Sequence, residues 1–304
     1  MFKDVFNQKK VLITGNSGFK GSWLSLWLRN LGSEVHGISY LPPSDPNMFE
    51  SLGIENKIES FHKLNIADNS TEVNKIIKPG ISTDQIDKLC YEYISDHGAY
   101  SAPLFYRGFP KSCCTSANHI VCHGIPSEKT LQEGDILNVD VTALKDGWHG
   151  DTSRMFEVGP ISVKAKKLIE VTYDSMMKAI SILKEGVSLG DIGYEIQSHV
   201  EKNGFSVVQD FCGHGIGQSF HKEPNVLHYG KKGSGEKLKE GMIFTIEPMI
   251  NSGKYETKIL SDGWTAVTKD KSLSAQFEHT VGVTKEGYEI FTLSDKGLNF
   301  PPNL

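Results

Sequence analysis

Asn138-Val139-Asp140-Val141-Thr142-Ala143-Leu144-Lys145-Asp146-Gly147-Trp148-His149-Gly150-Asp151 is the stretch whose reading decides the fold. Over residues 134–144 the pattern alternates, so Val139, Val141 and Ala143 share one strand face and Asn138, Asp140 and Thr142 the other. Asp146-Gly147 is a two-residue hairpin signal. It sets Lys145 opposite Trp148 and Asp151 opposite Thr142, which makes Asp140 and Asp151 diagonal neighbours on one face. Diagonal positions lie about 7–8 Å apart at Cα, and two carboxylates reaching inward from there can share metal ions about 3.5–4 Å apart.

Two later stretches behave alike. Residues 242–249 alternate with Glu247 opposite Phe244 and Ile246, and Pro248 predicts a bulge or strand end there. Residues 274–284 place Gln276, Glu278 and Thr280 together against Phe277 and Val281. A carboxylate in a half-apolar strand is costly to bury unless it is paired or bound to a cation. His214 in Cys212-Gly213-His214-Gly215-Ile216-Gly217 is framed by glycines that let backbone crowd close to a site, and His123 lies in a similar glycine-bounded loop. His221 follows seven residues after His214; the other eight of the 11 histidines, His119 and His279 among them, read as surface or structural.

The 304 residues carry a net charge of -5, which argues against a nucleic-acid binder, and no Lys/Arg stripe is present. The opening apolar run Val11-Leu12-Ile13 is too short for a signal peptide or a membrane span, so the cytoplasm is the expected compartment. Five cysteines without CxxC spacing read as reduced thiols.

The texture of the chain changes near residues 68–72 and predicts two domains, 1–70 and 71–304. In the first, Lys10-Val11-Leu12-Ile13-Thr14 reads as a strand, residues 22–31 as a helix, and Glu34-Val35-His36-Gly37-Ile38 as a second strand. The intervening Gly15, Gly18 and Gly21 are the cofactor-binding candidates of a dinucleotide fold. Val11 to Leu24, with Leu41-Pro42-Pro43-Ser44-Asp45-Pro46-Asn47-Met48-Phe49-Glu50, resembles the start of CDP-glucose 4,6-dehydratases of the extended short-chain dehydrogenase family. The resemblance stops at about residue 68. The Tyr-x-x-x-Lys pair that such chemistry implies is absent from the chain. This part is therefore read as a partial Rossmann-like β-α-β segment with vestigial glycines and no bound cofactor.

Beyond the junction an internal repeat is expected. Lys78-Pro79-Gly80-Ile81-Ser82 with Ile86, Ile94 and Gly98 recurs as Lys184-Glu185-Gly186-Val187-Ser188 with Ile192, Val200 and Gly204, at an offset of 106. Each copy reads as a turn and an amphipathic helix, with Ser82 and Ser188 as N-caps and Gly98 and Gly204 as stops. The fold class predicted for this part is α/β with pseudo-twofold symmetry.

Residues 71–304 are similar to the bacterial-type (type I) methionine aminopeptidases of the pita-bread fold. The similarity rests on Val121-Cys122-His123-Gly124-Ile125-Pro126, Gly147 to Ser153, Cys212 to Gly217, Phe244-Thr245-Ile246-Glu247-Pro248-Met249 and Ser272 to Thr280. Asp140, Asp151, His214, Glu247 and Glu278 follow one another at separations of 11, 63, 33 and 31 residues, which agree with the family. The resemblance implies that Asp140 binds one metal, Asp151 and Glu278 bridge two, and His214 and Glu247 complete the other. Four carboxylates and an imidazole suit two divalent ions of Mn, Fe, Co or Zn. It also implies a proton-shuttling Glu247, His221 at the carbonyl oxygen, His123 at the substrate backbone nitrogen, and a methionine pocket of Tyr106, Phe109, Cys114, Phe220 and Trp264. The implied substrate is the N-terminus of a peptide or nascent chain, with transient ribosome association, a monomeric state and no membrane. Two departures count: the long helix that such proteins carry before the Lys-Pro-Gly turn has only residues 71–78 here, and the dehydratase-like segment stands in its place. A non-catalytic pita-bread binding module and a sugar-nucleotide dehydratase remnant are the competing readings.

Overall fold

The computed structural model describes residues 3–14, 17–39, 46–63 and 76–294. Gly15, residues 41–45 of the dehydratase-like stretch and residues 71–75 before the Lys-Pro-Gly turn lie outside the described residues. The chain divides into two compact units, Met1–Val73 and Asn74–Leu304.

In the first unit, strands Lys10–Thr14, Glu34–Ser39 and Ser60–Lys63 form a parallel three-stranded sheet in chain order. Parallel neighbours need a crossover, and helix Phe19–Asn30 supplies it between the first two. The helix starts at Phe19 rather than at the expected Ser22, because extended Gly18 serves as its N-cap. A small core of Ile13, Leu28, Val35, Phe49, Ile54 and Ile58 holds this unit together.

The second unit is built on an antiparallel sheet of nine strands among the described residues. Along it run Lys222–Val226, Gly213–Gly215, Ile243–Ile246, Glu278–Val283, Trp148–Glu157, Ile136–Lys145 and Tyr100–Ser101. The hairpin has the expected register, Lys145 facing Trp148 and Thr142 facing Asp151. Asp146 and Gly147 both have positive φ, 52° and 83°, the geometry of a two-residue turn whose twist matches that of its strands. The strand expected over residues 242–249 ends at Ile246 and pairing resumes at Met249, because Pro248 has no N–H to give a ladder. Residues 274–284 likewise divide into Ser274–Gln276 and Glu278–Val283 on either side of Phe277.

Helices Val163–Ser181 and Leu189–Lys202 put Leu168, Ile169, Met176, Ile180, Ile192 and Ile196 into one apolar cluster with Phe244, Ile246, Phe277 and Val281 from the strands. Each such buried side chain contributes about 1.5–3 kcal/mol, and together they make the sheet stiff enough to carry charges. Helices Thr83–Asp96 and Leu189–Lys202 are both 14 residues long and start at Ser82 and Ser188. Each serine N–H is met three residues on, by Gln85 Oε1 and by Asp191 Oδ2, both at 2.9 Å. Before each helix a glycine N–H donates to a leucine carbonyl, Gly80 to Leu131 at 2.8 Å and Gly186 to Leu238 at 2.9 Å. All five cysteines are free thiols. No helix among the described residues is long and apolar enough to cross a membrane.

Candidate metal centre and active site

Five adjacent strands of the sheet each bring one side chain to the same place. His214 sits on Gly213–Gly215, Glu247 directly after Ile243–Ile246, Glu278 on Glu278–Val283, Asp151 on Trp148–Glu157 and Asp140 on Ile136–Lys145. Ser153 pairs with both Asp140 and Glu278, so these three form one row across the sheet, with Asp151 two residues along the same strand face. The glycines around His214 are there for backbone approach. A Cβ at Gly213 would stand 2.3 Å from the Thr245 carbonyl oxygen, and one at Gly215 2.1 Å from that of Glu223.

Hydrogen bonds fix how these groups point. The Thr142 hydroxyl donates to Asp151 Oδ1 at 2.7 Å, the Thr245 hydroxyl to Glu247 Oε1 at 2.7 Å, and Gln276 Nε2 to Glu247 Oε2 at 3.3 Å. His214 Nδ1 lies 3.1 Å from the Gly215 carbonyl oxygen, which can only accept, so Nδ1 carries the proton. The lone pair of Nε2 is left facing Asp151 Oδ2 and Glu247 Oε1, each 3.7 Å away. Asp151, His214 and Glu278 offer donor atoms that all lie within 4.8 Å of one another.

Such an arrangement repels itself. Burial, then neighbouring carboxylates, push Asp140 and Glu278 well above the ordinary carboxylate range. Burial raises Asp151 to about 7 and Glu247 to about 8. Among the described residues, His214 is the only cation-capable side chain within ion-pair distance of these four, and burial holds it toward its neutral form. Dehydrated carboxylates facing an imidazole lone pair are what divalent cations stabilise. Cys114 and Cys122 lie at the same cavity, but burial drives both thiols well above their usual range. The donor set that fits is therefore oxygen and imidazole nitrogen, which suits divalent Mn, Fe, Co or Zn over soft thiolate-seeking ions.

A cavity of about 670 Å³ opens over this floor, lined by all five residues together with His123, His221, Tyr106, Phe109, Cys114, Phe220 and Trp264. Every site residue expected in this unit thus lines one space. Phe109 meets Trp264 edge-on at 5.2 Å between ring centres, and Tyr106 meets Phe220 at 4.8 Å. His123 has φ 55° and stands edge-on to Phe211 and Trp264, its pKa lowered by burial. His221 lies 4.1 Å from the His214 ring and 5.1 Å from that of Tyr106. Its pKa is lowered by desolvation and by nearby His214 and Arg107, so at neutral pH it is an uncharged donor and acceptor.

Alternation had already put Thr142 on the Asp140 face and Gln276 beside Glu278, but not their role in orienting carboxylates, and Thr245 had no sequence signal, since a strand threonine ordinarily reads as β propensity. His228, 0% exposed, accepts from the Glu247 N–H through Nε2 at 3.2 Å. Met249, Phe211 and Arg107 also line the cavity. Of the glycines in the first unit, Gly18 caps helix Phe19–Asn30 and Gly21 lies in its first turn, and among the described residues no comparable group of metal-ligating side chains lies there.

The sequence profile of metallopeptidase family M24 matches residues 66–285. The chain belongs to metallopeptidase family M24. Within it, the chain is 60% identical over 228 residues to a methionine aminopeptidase of Rickettsia prowazekii, covering 74% of this chain and 88% of the relative. It is 52% identical over 223 residues to a methionine aminopeptidase of Escherichia coli K12, covering 73% and 84%. The crystal structure of methionine aminopeptidase from Rickettsia prowazekii superposes with a TM-score of 0.73 at 57% identity, covering 75% of this chain and 92% of that one. A Xaa-Pro dipeptidase from Bacillus anthracis shares the fold at 19% identity and a TM-score of 0.58, covering 93% and 84%. The fold is the pita-bread fold of that family, and the chain is a metal-dependent aminopeptidase.

Proposed function

We propose that this chain removes the initiator methionine from peptides and newly made polypeptides, with Asp140, Asp151, His214, Glu247 and Glu278 holding two divalent ions. The observation that carries this reading is the delivery of one donor from each of five adjacent strands, with the His214 lone pair aimed at two carboxylates. When bound, the two ions supply a water nucleophile at neutral pH and Lewis acidity toward the scissile carbonyl.

The chain's own side chains do the rest. Phe109, Trp264, Tyr106, Phe220 and Cys114 enclose the methionine side chain, whose thioether packs well on aromatic edges. His123, held neutral, meets the substrate backbone nitrogen beside the scissile bond. His221 donates to the oxyanion that forms as the carbonyl is attacked. Glu247, with an elevated pKa and a fixed orientation, takes a proton and passes it to the departing amine. Methionine release from Met-Ala-Ser with Mn or Co added, compared with Asp151→Ala, tests the reading; no metal-dependent release by the intact chain would defeat it.

The same proposal includes a monomer in the cytoplasm that meets nascent chains by docking transiently at the ribosome. Sedimentation and co-pelleting with ribosomes test those parts. It also includes a duplicated body, for which the two serine-capped helices and the placement of Asp140 and Glu247, 107 residues apart, are the support. The first unit is read as a Rossmann-like, dehydratase-related fragment, supported by its parallel sheet and crossover helix. An unchanged melting temperature after removal of residues 1–69 would exclude any bracing role for it.

A further inference from the structure

The wall of the cavity contains a strained loop. Phe105 has φ 64° and Arg107 φ 47° with ψ 28°, so two non-glycine residues in three are left-handed, and Gly108 follows at φ 89°. Such residues are uncommon and persist where the surroundings hold them, which is often at a binding site. Here the strain carries Tyr106 and Arg107 to the same cavity.

Tyr106 stacks on His221, and the Arg107 guanidinium lies over the Tyr106 ring at 5.3 Å. One face of the guanidinium is thus seated on an aromatic ring, while its edge donors have no hydrogen-bond partner among the described residues. Arg107 is exposed, and among the described residues no carboxylate lies within 4.0 Å of it. The two carboxylates of the cavity outside the metal cluster are engaged elsewhere. Asp210 accepts from the Thr257 hydroxyl at 2.6 Å, and Glu223 from the Asn225 N–H at 3.2 Å. A seated guanidinium with no carboxylate partner among the described residues therefore lines the same cavity as His221 and the metal floor. An extended peptide advances about 3.3 Å per residue, which puts the first few residues beyond the scissile bond within an arginine's reach.

We infer that Arg107 is a specificity residue, receiving an acidic side chain of the substrate just beyond the scissile bond and favouring methionine removal from acidic N-termini. This rests on the aminopeptidase reading. The pair is solvent-exposed, so its effect is modest, about two- to fivefold at low salt, and it is screened at high salt.

The test uses the full chain loaded with Mn or Co and three C-terminally amidated peptides, Met-Ala-Glu-Gly, Met-Ala-Gln-Gly and Met-Ala-Lys-Gly. Amidation removes the terminal carboxylate as a rival anion. The expected order of kcat/KM is Glu above Gln above Lys, expressed in KM, with the Glu/Gln ratio approaching one in high salt. Arg107→Gln should bring that ratio to about one and Arg107→Lys should keep part of it. The ratio is read within each variant, so a loosened loop that slows all three peptides leaves it in place. Equal rates for Glu and Gln in the unaltered chain, a ratio surviving in Arg107→Gln, or a preference for Lys would each overturn the assignment. Absence of methionine release from all three peptides would instead overturn the aminopeptidase reading on which it rests.

Discussion

The floor of the cavity and its wall are built in opposite ways. The floor is a row of like-charged, buried groups fixed by sheet register: Asp151 is 4% and Glu278 2% exposed, and each is aligned by neighbouring rungs. The wall is aromatic and partly open, and much of it hangs on loops that need left-handed residues such as Phe105, Arg107 and His123. The floor is electrostatically unstable by itself and mechanically stiff. The wall is mostly aromatic, carries its charge on exposed side chains such as Arg107, and is adjustable. Chemistry that depends on sub-ångström metal geometry sits on the first, and recognition of a side chain and a peptide on the second.

Breaking the floor should have the largest effect. Asp151→Ala is expected to lower kcat/KM by about a thousandfold or more, since several kcal/mol of transition-state stabilisation depend on the metals it helps to hold. The same change should raise the melting temperature of metal-free protein, because it removes one of four mutually repelling carboxylates. Calorimetry with and without metal checks both signs. A variant destabilised equally in both states would mean that Asp151 is structural.

The pH dependence sharpens the same contrast. Asp151 and Glu247 have ordinary values of 3.8 and 4.5 and are raised to about 7 and about 8 in the fold. Between those limits the metal-free folded protein binds protons that the unfolded chain has released. Its stability should therefore be greatest below about pH 4 to 5 as far as these groups are concerned, and should fall as pH rises toward 8. Metal competes with the same protons, so the rise in melting temperature on adding Mn should be larger at pH 8 than at pH 6. A metal-induced shift that is flat with pH would show that these carboxylates are already ionised in the metal-free state.

The wall should respond more mildly. Trp264→Ala opens the methionine pocket beside Phe109, and the expected loss is about 10- to 100-fold in kcat/KM for Met-Ala-Ser, mainly through KM. Metal affinity measured by titration should stay within about twofold, because among the described residues the Trp264 ring packs on Phe109 and His123, neither of which is in the metal cluster. A parallel loss of metal affinity would erase the distinction between floor and wall.

The two regions were also unequally legible in the sequence. The hairpin register followed from Asp146-Gly147 and alternation alone, and the structure pairs Thr142 with Asp151 as that reading requires. His214 stood out because glycines flank it, and the close approach of Thr245 and Glu223 backbone explains why. The wall could not be found by periodicity: Tyr106 and Phe109 share one short turn while Phe220 and Trp264 come from two distant loops, and only family resemblance grouped them. Arg107 and His228 escaped altogether. A loop arginine ordinarily reads as solvated surface, and a histidine in Val226-Leu227-His228-Tyr229 carries no sign that it will cap a backbone donor elsewhere.

His228 gives the finest probe. Glu247 leaves the sheet because Pro248 follows it, so its N–H has no ladder partner and donates instead to His228 Nε2 at 3.2 Å. Burial lowers the His228 pKa to about 3, which keeps the ring neutral and Nε2 an acceptor. With Nε2 accepting, the proton sits on Nδ1, which has no hydrogen-bond partner among the described residues. His228→Ala would strand the Glu247 N–H at a cost of about 1–3 kcal/mol and free the Glu247 carboxylate to drift. The expected result is a melting temperature a few degrees lower and a severalfold weaker metal affinity, with KM for Met-Ala-Ser nearly unchanged because the wall is untouched. His228→Gln, whose side-chain carbonyl can accept the same N–H, should recover part of the metal affinity. If Gln and Ala behave alike, His228 fills space and does not position Glu247.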